Sequence, residues 1–501
     1  MNLNFYKNKI NFRVLPEGKT KNFVVIVCNE ENLNKAKSFL FLNPNLKNFL
    51  KTTFNDIKKH DKYIGYTPFG NFAFIKLRSS NNDNLYNFYT ELRKILRFLK
   101  DNKIAKFSIY LNDFSIKNLN IDKLAEILTL NFVIADFDFS RYYKTPPKEG
   151  WPEVKEIEIM VNKTQVNEIK QAVKRGIIIA EEINRTRFLS NLPGGDLTPS
   201  SFVEIIKEYT KNLDLKVTIL DENKLKKIKA GGILGVSRGS KEKPYLVILE
   251  NQEKDKEVHF IGKGITFDSG GLQIKPSDYM NEMHLDMTGA ATVLASSILI
   301  KRLGYKLNFK TLIPLAENMP SAESYRPGDV LKTISGKTIE VGSTDAEGRI
   351  ILADAIDYSK KFFKPSLIVE FSTLTGASMI ALGNKASALF TNKKEIQDFM
   401  LKISEISGDL LWPLPLWEIY KKDIESNFAD ILNIGKSKYG GAIHGAIFLW
   451  EFAKPVNFVH IDIAPKMTSS EEDGLTKGSA GFGVNLIKEF CENFQEIKNL
   501  L

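Results

Sequence analysis

From Asn191 onward, short apolar runs alternate with helix-like stretches, and glycines crowd the junctions between them. Strands that alternate with helices are joined in parallel, because a parallel pair needs a long crossover that a helix supplies. The pattern predicts a central mixed, mostly parallel sheet flanked by helices. In such sheets reactive residues gather in the loops at the carboxyl ends of the strands.

The N-terminal part also alternates, with less glycine. Asn22–Cys28, Phe72–Leu77 and Ile104–Leu111 read as strands. Leu85 to Leu99 carries Tyr86, Phe88, Leu92, Ile95, Leu96 and Leu99 at helical spacing. Tyr142–Gly150 breaks the pattern as a loop, and residues 162–186 read as one long connecting helix. The expectation is an α/β chain of two domains. Residues 1–160 form a small α/β domain for assembly or access, and residues 161–501, connecting helix included, form a larger catalytic domain. The 501-residue length agrees with two domains.

Bulk properties exclude several classes. Cys28 and Cys491 are the only cysteines, which is no disulfide framework. The N-terminal residues show no signal-peptide pattern, and no apolar run approaches the ~18 residues of a membrane span. The expected location is cytoplasmic. Net charge is +10, yet the lysines are scattered in pairs, and the cluster Lys224–Lys229 reads as a solvated helix face.

Two segments concentrate the chemistry. One is Ile261–Pro276, containing Lys263, Asp268 and Lys275, followed by Met283-His-Leu-Asp286. The other is Gly342-Ser-Thr-Asp345-Ala-Glu347-Gly-Arg349. Each follows a strand-like run, so both are expected at strand ends. Asp268, Asp286, Asp345 and Glu347 supply four negative charges, enough to balance two divalent cations; without metal they would repel and hold a proton. Oxygen-rich ligands suit Mg²⁺ or Mn²⁺, and Zn²⁺ also accepts carboxylate. Alternation along an extended Asp345-Ala346-Glu347 would put both carboxylates on one side.

Other signals are weaker. None of the five histidines forms H-E-x-x-H, and His259 and His460 lie in apolar runs as packing or hydrogen-bonding residues. Gly235-Val-Ser237-Arg-Gly239 fits G-x-S-x-G, but a strand-like run follows it where a serine elbow needs a helix, so it reads as a strand connection.

The segment Ser343-Thr-Asp-Ala-Glu-Gly-Arg349 resembles the N-T-D-A-E-G-R signature of the leucine aminopeptidase (cytosol aminopeptidase) family, and Gly262–Gly271 resembles that family's other metal loop. Further matches are Asn191–Pro199, Ala316–Pro320, Tyr325–Asp329, Thr373–Ala377, Trp412–Trp417 and His460–Ala464, so the likeness spans about residues 165–501. The resemblance implies an aminopeptidase that removes leucine-like N-terminal residues from peptides. It implies a tight metal held by Lys263, Asp268, Asp286 and Glu347, and an exchangeable one held by Asp268, Asp345 and Glu347. Lys263 would have to be neutral to serve as a ligand. Lys275 would stabilise the oxyanion, and Arg349, with Gly348 and Leu374, would hold a bicarbonate acting as general base. Met283, Thr373, Gly376, Ala464 and Met467 would wall the pocket for the first side chain. A homohexamer, as a dimer of trimers, is implied too. Ser343 replaces the signature's Asn, Pro465 stands where the family has glycine, and Gly194-Gly195 replaces a bulkier pair. A two-metal phosphoesterase is the rival within enzymes. DNA binding, known for some family members, is the rival of another class, although residues 1–160 lack clustered basic and aromatic residues.

Overall fold

The computed structural model describes residues 1–20, 22–28, 33, 36–77, 85–116 and 119–501. One unit comprises Asn4–Asn184 with Ser470–Lys477; the other comprises Met1–Leu3, Arg185–Ser469 and Gly478–Leu501. The division falls inside the helix Val166–Asn191, whereas the sequence reading divides the chain at 160/161.

The first unit holds β1 Asn11–Pro16, β2 Phe23–Cys28, β3 Lys62–Thr67, β4 Gly70–Lys76, β5 Lys106–Tyr110 and β6 Glu156–Val161. They form one sheet in the order β1-β6-β5-β2-β4-β3, parallel except for the β3–β4 pair. The helix Leu85–Asp101 buries Phe88, Leu92, Ile95, Leu96 and Leu99, the stripe its spacing predicts.

The second unit holds β7 Lys216–Leu220, β8 Tyr245–Asn251, β9 Glu257–Gly262, β10 Gly264–Asp268, β11 Asn308–Asn318, β12 Val330–Lys332, β13 Thr338–Glu340, β14 Leu367–Ser372, β15 Ser387–Thr391, β16 Leu411–Pro413, β17 Ile431–Leu432 and β18 Asn457–Asp462. The main sheet runs β16-β15-β18-β14-β9-β11-β8-β7, with β10 paired to β11; β12, β13 and β17 form a separate small sheet. Parallel pairing joins β10 to β11, β11 to β9, β9 to β14 and β14 to β18. Five strands therefore end at one edge of the sheet, at Asp268, Asn318, Gly262, Ser372 and Asp462.

Both faces are covered, which explains why these strands are mostly apolar, with buried polar residues such as Glu370 and His460 paired to each other. On one face Ile261, Leu312, Ile368 and Phe458 share a core with Ile350, Ile351 and Ile356 of the helix Glu347–Phe362 and with Ile447, Phe448 and Phe452 of the helix Gly441–Ala453. Each fully buried aliphatic side chain there contributes about 1.5–3 kcal/mol. On the other face Phe260 meets Phe490 at 6.0 Å, and the helix Thr288–Leu303 comes so close that a Cβ on Gly289 would stand 2.1 Å from the Phe371 carbonyl oxygen. The run Gly289-Ala-Ala is small because backbone packs against backbone there.

Two sequence expectations need correction. The stretch Ser277–Leu303 is long and apolar enough to cross a membrane by length and composition, contrary to the reading that no run is; its window is 89% buried inside the protein, the setting of a core helix. The G-x-S-x-G match connects a helix, not a strand, to β8. Ser237 follows the helix Gly231–Val236, and its hydroxyl donates to the Leu234 carbonyl.

Candidate active site

The loop after β13 and the start of the next helix bring in three charged residues. Asp345 lies in a turn and Glu347 is the first residue of the helix Glu347–Phe362. The extended Asp345-Ala-Glu347 expected from alternation is therefore not formed. Ala346 has φ −116° and ψ 43°, and Glu347 takes the helix N-terminus, where the helix dipole favours a carboxylate. The loop is braced from outside. Tyr325 donates its hydroxyl to the Thr344 carbonyl at 2.7 Å, and the Thr344 N–H donates to Gln273 Oε1 at 2.7 Å.

The second set comes from β9 and β10. Lys263 stands between the two strands, Asp268 ends β10, and Asp286 follows the short turn Met283–Leu285. Asp268, Asp286 and Glu347 each bring an oxygen within 4.8 Å of the others. Lys263 Nζ lies among them, 2.7 Å from Asp286 Oδ2, 2.8 Å from Glu347 Oε1 and 3.1 Å from the Thr373 carbonyl. Lys275 joins Asp345 to the group, with Nζ 2.6 Å from Asp345 Oδ1 and 2.9 Å from Asp268 Oδ2. Asp268 Oδ1 also accepts from the Gly270 N–H and from Asn318 Nδ2. Gly270 and Gly271 take φ of +87° and +66° to make that turn.

Burial governs the electrostatics. It pushes the Asp268 carboxyl up to about 6, with Glu347 adding repulsion, and raises Asp286 and Asp345 as well. Glu347 ends below the usual range, because Lys263 and Lys275 outweigh its burial. Burial alone would lower both lysines, but the surrounding carboxylates hold them as ammonium ions. In Arg349 burial wins and brings the guanidinium down to about 10.

These residues fit divalent cations. Glu347 Oε2 and Asp286 Oδ2 are buried and accept no hydrogen bond, although Asp286 Oδ2 keeps its ion pair with Lys263. A buried anionic oxygen without a partner is costly, and a cation removes that cost. Carboxylate oxygens with one amine nitrogen are a donor set for Mn²⁺, Mg²⁺ or Zn²⁺.

The remaining expected residues lie in loops after strands and in the turns and first helical residues beyond them. Thr373 follows β14 and donates to Asp286 Oδ1 at 2.6 Å. Asp462, ending β18, organises the next turn. It accepts from the Leu374 and Ala464 N–H groups at 3.0 and 3.2 Å and from the Thr375 and Ser378 hydroxyls at 2.6 Å. Gly376 opens the helix Gly376–Leu382, and Ala464 and Met467 are both 7% exposed. Met283 is half-buried, three residues before Asp286. Gly348 backs directly onto Lys263. Arg349 is buried, donates from Nη1 to the Asn433 carbonyl at 2.7 Å, and leaves Nε without a partner. His259 bonds Ser359 and Glu257, and His460 bonds Glu370, the hydrogen-bonding roles the sequence suggests.

Asn433, Asp462 and Asn318 were not singled out by the sequence. Asp462 and Asn318 lie inside quoted motifs, so their strand-end positions were a usable signal. Asn433 is an uncharged amide in Ile431-Leu-Asn-Ile-Gly435, and nothing local marks it.

Residues 184–488 match the cytosol aminopeptidase family, catalytic domain. The probable cytosol aminopeptidase of Persephonella marina is 38% identical over 395 residues, covering 78% of this chain and 79% of that protein. The one of Chlorobaculum tepidum is 37% identical over 383 residues, covering 74% and 76%. Among solved structures, a mutant of tomato leucine aminopeptidase superposes with a TM-score of 0.82 at 26% identity, covering 97% of each chain. The bottromycin maturation enzyme BotP in complex with Mn superposes at 0.81 with 27% identity, covering 95% of this chain and all of that one. The two-domain α/β fold and these likenesses define a metal-dependent exopeptidase, a hydrolase. The chain belongs to the cytosol aminopeptidase family.

Proposed function

We propose that this enzyme cleaves single residues, leucine-like by preference, from the N-termini of peptides, using two divalent ions. Lys263, Asp268, Asp286 and Glu347 would hold the tight ion. Asp268, Asp345, through side chain and main-chain carbonyl, and Glu347 would hold the exchangeable one. The observation that carries the reading is the convergence of buried carboxylates on one point, with Glu347 Oε2 left unpartnered. When bound, Mn²⁺, Zn²⁺ or Mg²⁺ supplies Lewis acidity and a nucleophile at neutral pH.

The chain's own residues do the rest. Lys263 would have to give up its proton to hold an ion, so loading would release protons. Lys275, freed from its pairing with Asp345, donates to the oxyanion that develops on the scissile carbonyl. Arg349, with the Gly348 and Leu374 backbone, would hold bicarbonate, which would supply a general base. The free Nε of Arg349 and the Leu374 turn fixed by Asp462 support that assignment. Met283, Thr373, Gly376, Ala464 and Met467 wall the pocket; small and thioether groups there suit leucine- or methionine-like side chains.

The enzyme works in the cytoplasm as a homohexamer, a dimer of trimers. The names of its relatives support the location, and the exposure of Trp412, Trp417, Ile419 and Phe428, at 61–81%, supports a covered surface.

The test is hydrolysis of a leucine anilide against a phosphate ester with added Mn²⁺. Anilide cleavage that disappears in Glu347→Ala is expected. A fully active Glu347→Ala, or preference for the phosphate ester, sinks the proposal.

A further inference from the structure

Asn433 is fully buried just after β17, and its side chain spends every hydrogen bond it can make on the segment that carries Asp345. Oδ1 accepts from the Gly342 and Ser343 N–H groups at 2.7 and 3.1 Å. Nδ2 donates to the Ser343 and Ala346 carbonyls at 2.7 and 3.2 Å. An amide offers two donor hydrogens and one carbonyl oxygen with two lone pairs, and all four capacities are used on both sides of Asp345. Its main chain anchors the brace. The N–H donates to the Glu340 carbonyl at 3.1 Å, and the carbonyl accepts from Arg349 Nη1 at 2.7 Å.

The segment needs such a brace. Asp345 shares Lys275 with Asp268, and its side chain is 40% exposed, so repulsion from the neighbouring carboxylates works to swing it outward. Ser343, in the place of the family's Asn, supplies one further contact, accepting from the Asp345 N–H at 3.2 Å. The brace must be neutral. A carboxylate at 433 would face the Ser343 and Ala346 carbonyls without a donor.

We propose that Asn433 is a positioning residue for the exchangeable cation: it fixes the turn that presents the Asp345 carboxylate and carbonyl, while leaving the tight-cation ligands untouched. The inference rests on the ligand assignment under Proposed function. The test is calorimetric Mn²⁺ titration of the metal-stripped full-length protein, comparing wild type, Asn433→Asp, Asn433→Ser and Asp345→Ala, with the melting temperature of each metal-free form. One Mn²⁺ should bind both Asn433 variants as it binds wild type. The second should bind about 10- to 100-fold more weakly, the usual cost of losing a group that orients a ligand. Excess Mn²⁺ should then restore kcat at unchanged KM. Two ions bound with wild-type affinity by the folded variants would overturn the proposal. So would loss of both ions together with a collapsed melting transition, which marks a purely structural residue. If Asp345→Ala also keeps both affinities, the ligand assignment itself falls, and the role of Asn433 falls with it.

Discussion

Gly348 has no room for a side chain: a Cβ there would stand 2.1 Å from Lys263 Cε and 2.6 Å from Nζ. The methyl of Gly348→Ala would push Lys263 off Asp286 and Glu347. A shift near 1 Å at a reacting centre costs about 100-fold. Leucine-anilide kinetics should show a loss of that order, with the far-ultraviolet spectrum unchanged. Protons compete with cations for the same oxygens. Loading takes a proton from Lys263 throughout this range, so Mn²⁺ affinity should climb with pH; with the Asp268 carboxyl pushed up to about 6 and Asp286 also raised, it should fall more steeply below pH 6. Metal retained after gel filtration at pH 5 to 8 measures this. At this scale the sequence was most informative. Lys263, Asp268, Asp345 and Glu347 are charges in glycine-rich segments that follow strand-like runs, a setting visible without coordinates, and Asp286 follows close behind in the chain. Asn433 escaped because its importance lies in four partners scattered over residues 342–346, a geometry no residue type announces.

Elements were legible as alternation, less so at their ends. The long connecting helix was expected over 162–186 and is Val166–Asn191. Periodicity counts side chains and ignores caps, so it makes the Asp345–Glu347 segment extended; the helix dipole and the Asn433 brace turn it into a turn and a helix start. The same helix carries Asp354, which accepts from the Ile233 and Ile334 N–H groups at 2.8 and 2.9 Å. Burial pushes its carboxyl up to about 7. An acid raised on folding contributes stability that is complete below its unfolded value, near 4, and is lost as pH rises through the folded one. The melting temperature of wild type should therefore carry a downward component between pH 4 and 7 that is absent in Asp354→Asn, which does not titrate. Thermal melts of both proteins across that range check it, and parallel slopes would reject it.

For the whole molecule, the mostly parallel catalytic sheet followed from strand–helix alternation, while the job of the N-terminal unit did not. That unit has a core of its own around Val25, Phe88, Phe107, Ile127 and Ile157, but its pattern reports packing and no chemistry. Light scattering on the purified enzyme should give six times the 56.8 kDa of one chain; a monomer would reject the proposed assembly. Residues Ser470–Lys477 belong with the N-terminal unit, where Tyr86 donates to Asp473 Oδ1 at 2.8 Å and Arg97 to the Leu475 carbonyl at 2.7 Å. The polypeptide thus changes unit at 3/4, again at 184/185 within a helix, and on either side of the short excursion Ser470–Lys477. Neither half is a contiguous stretch of gene. A fragment cut at residue 185 would carry eight residues, Ser470–Lys477, stranded without their seat, beginning three residues after Met467.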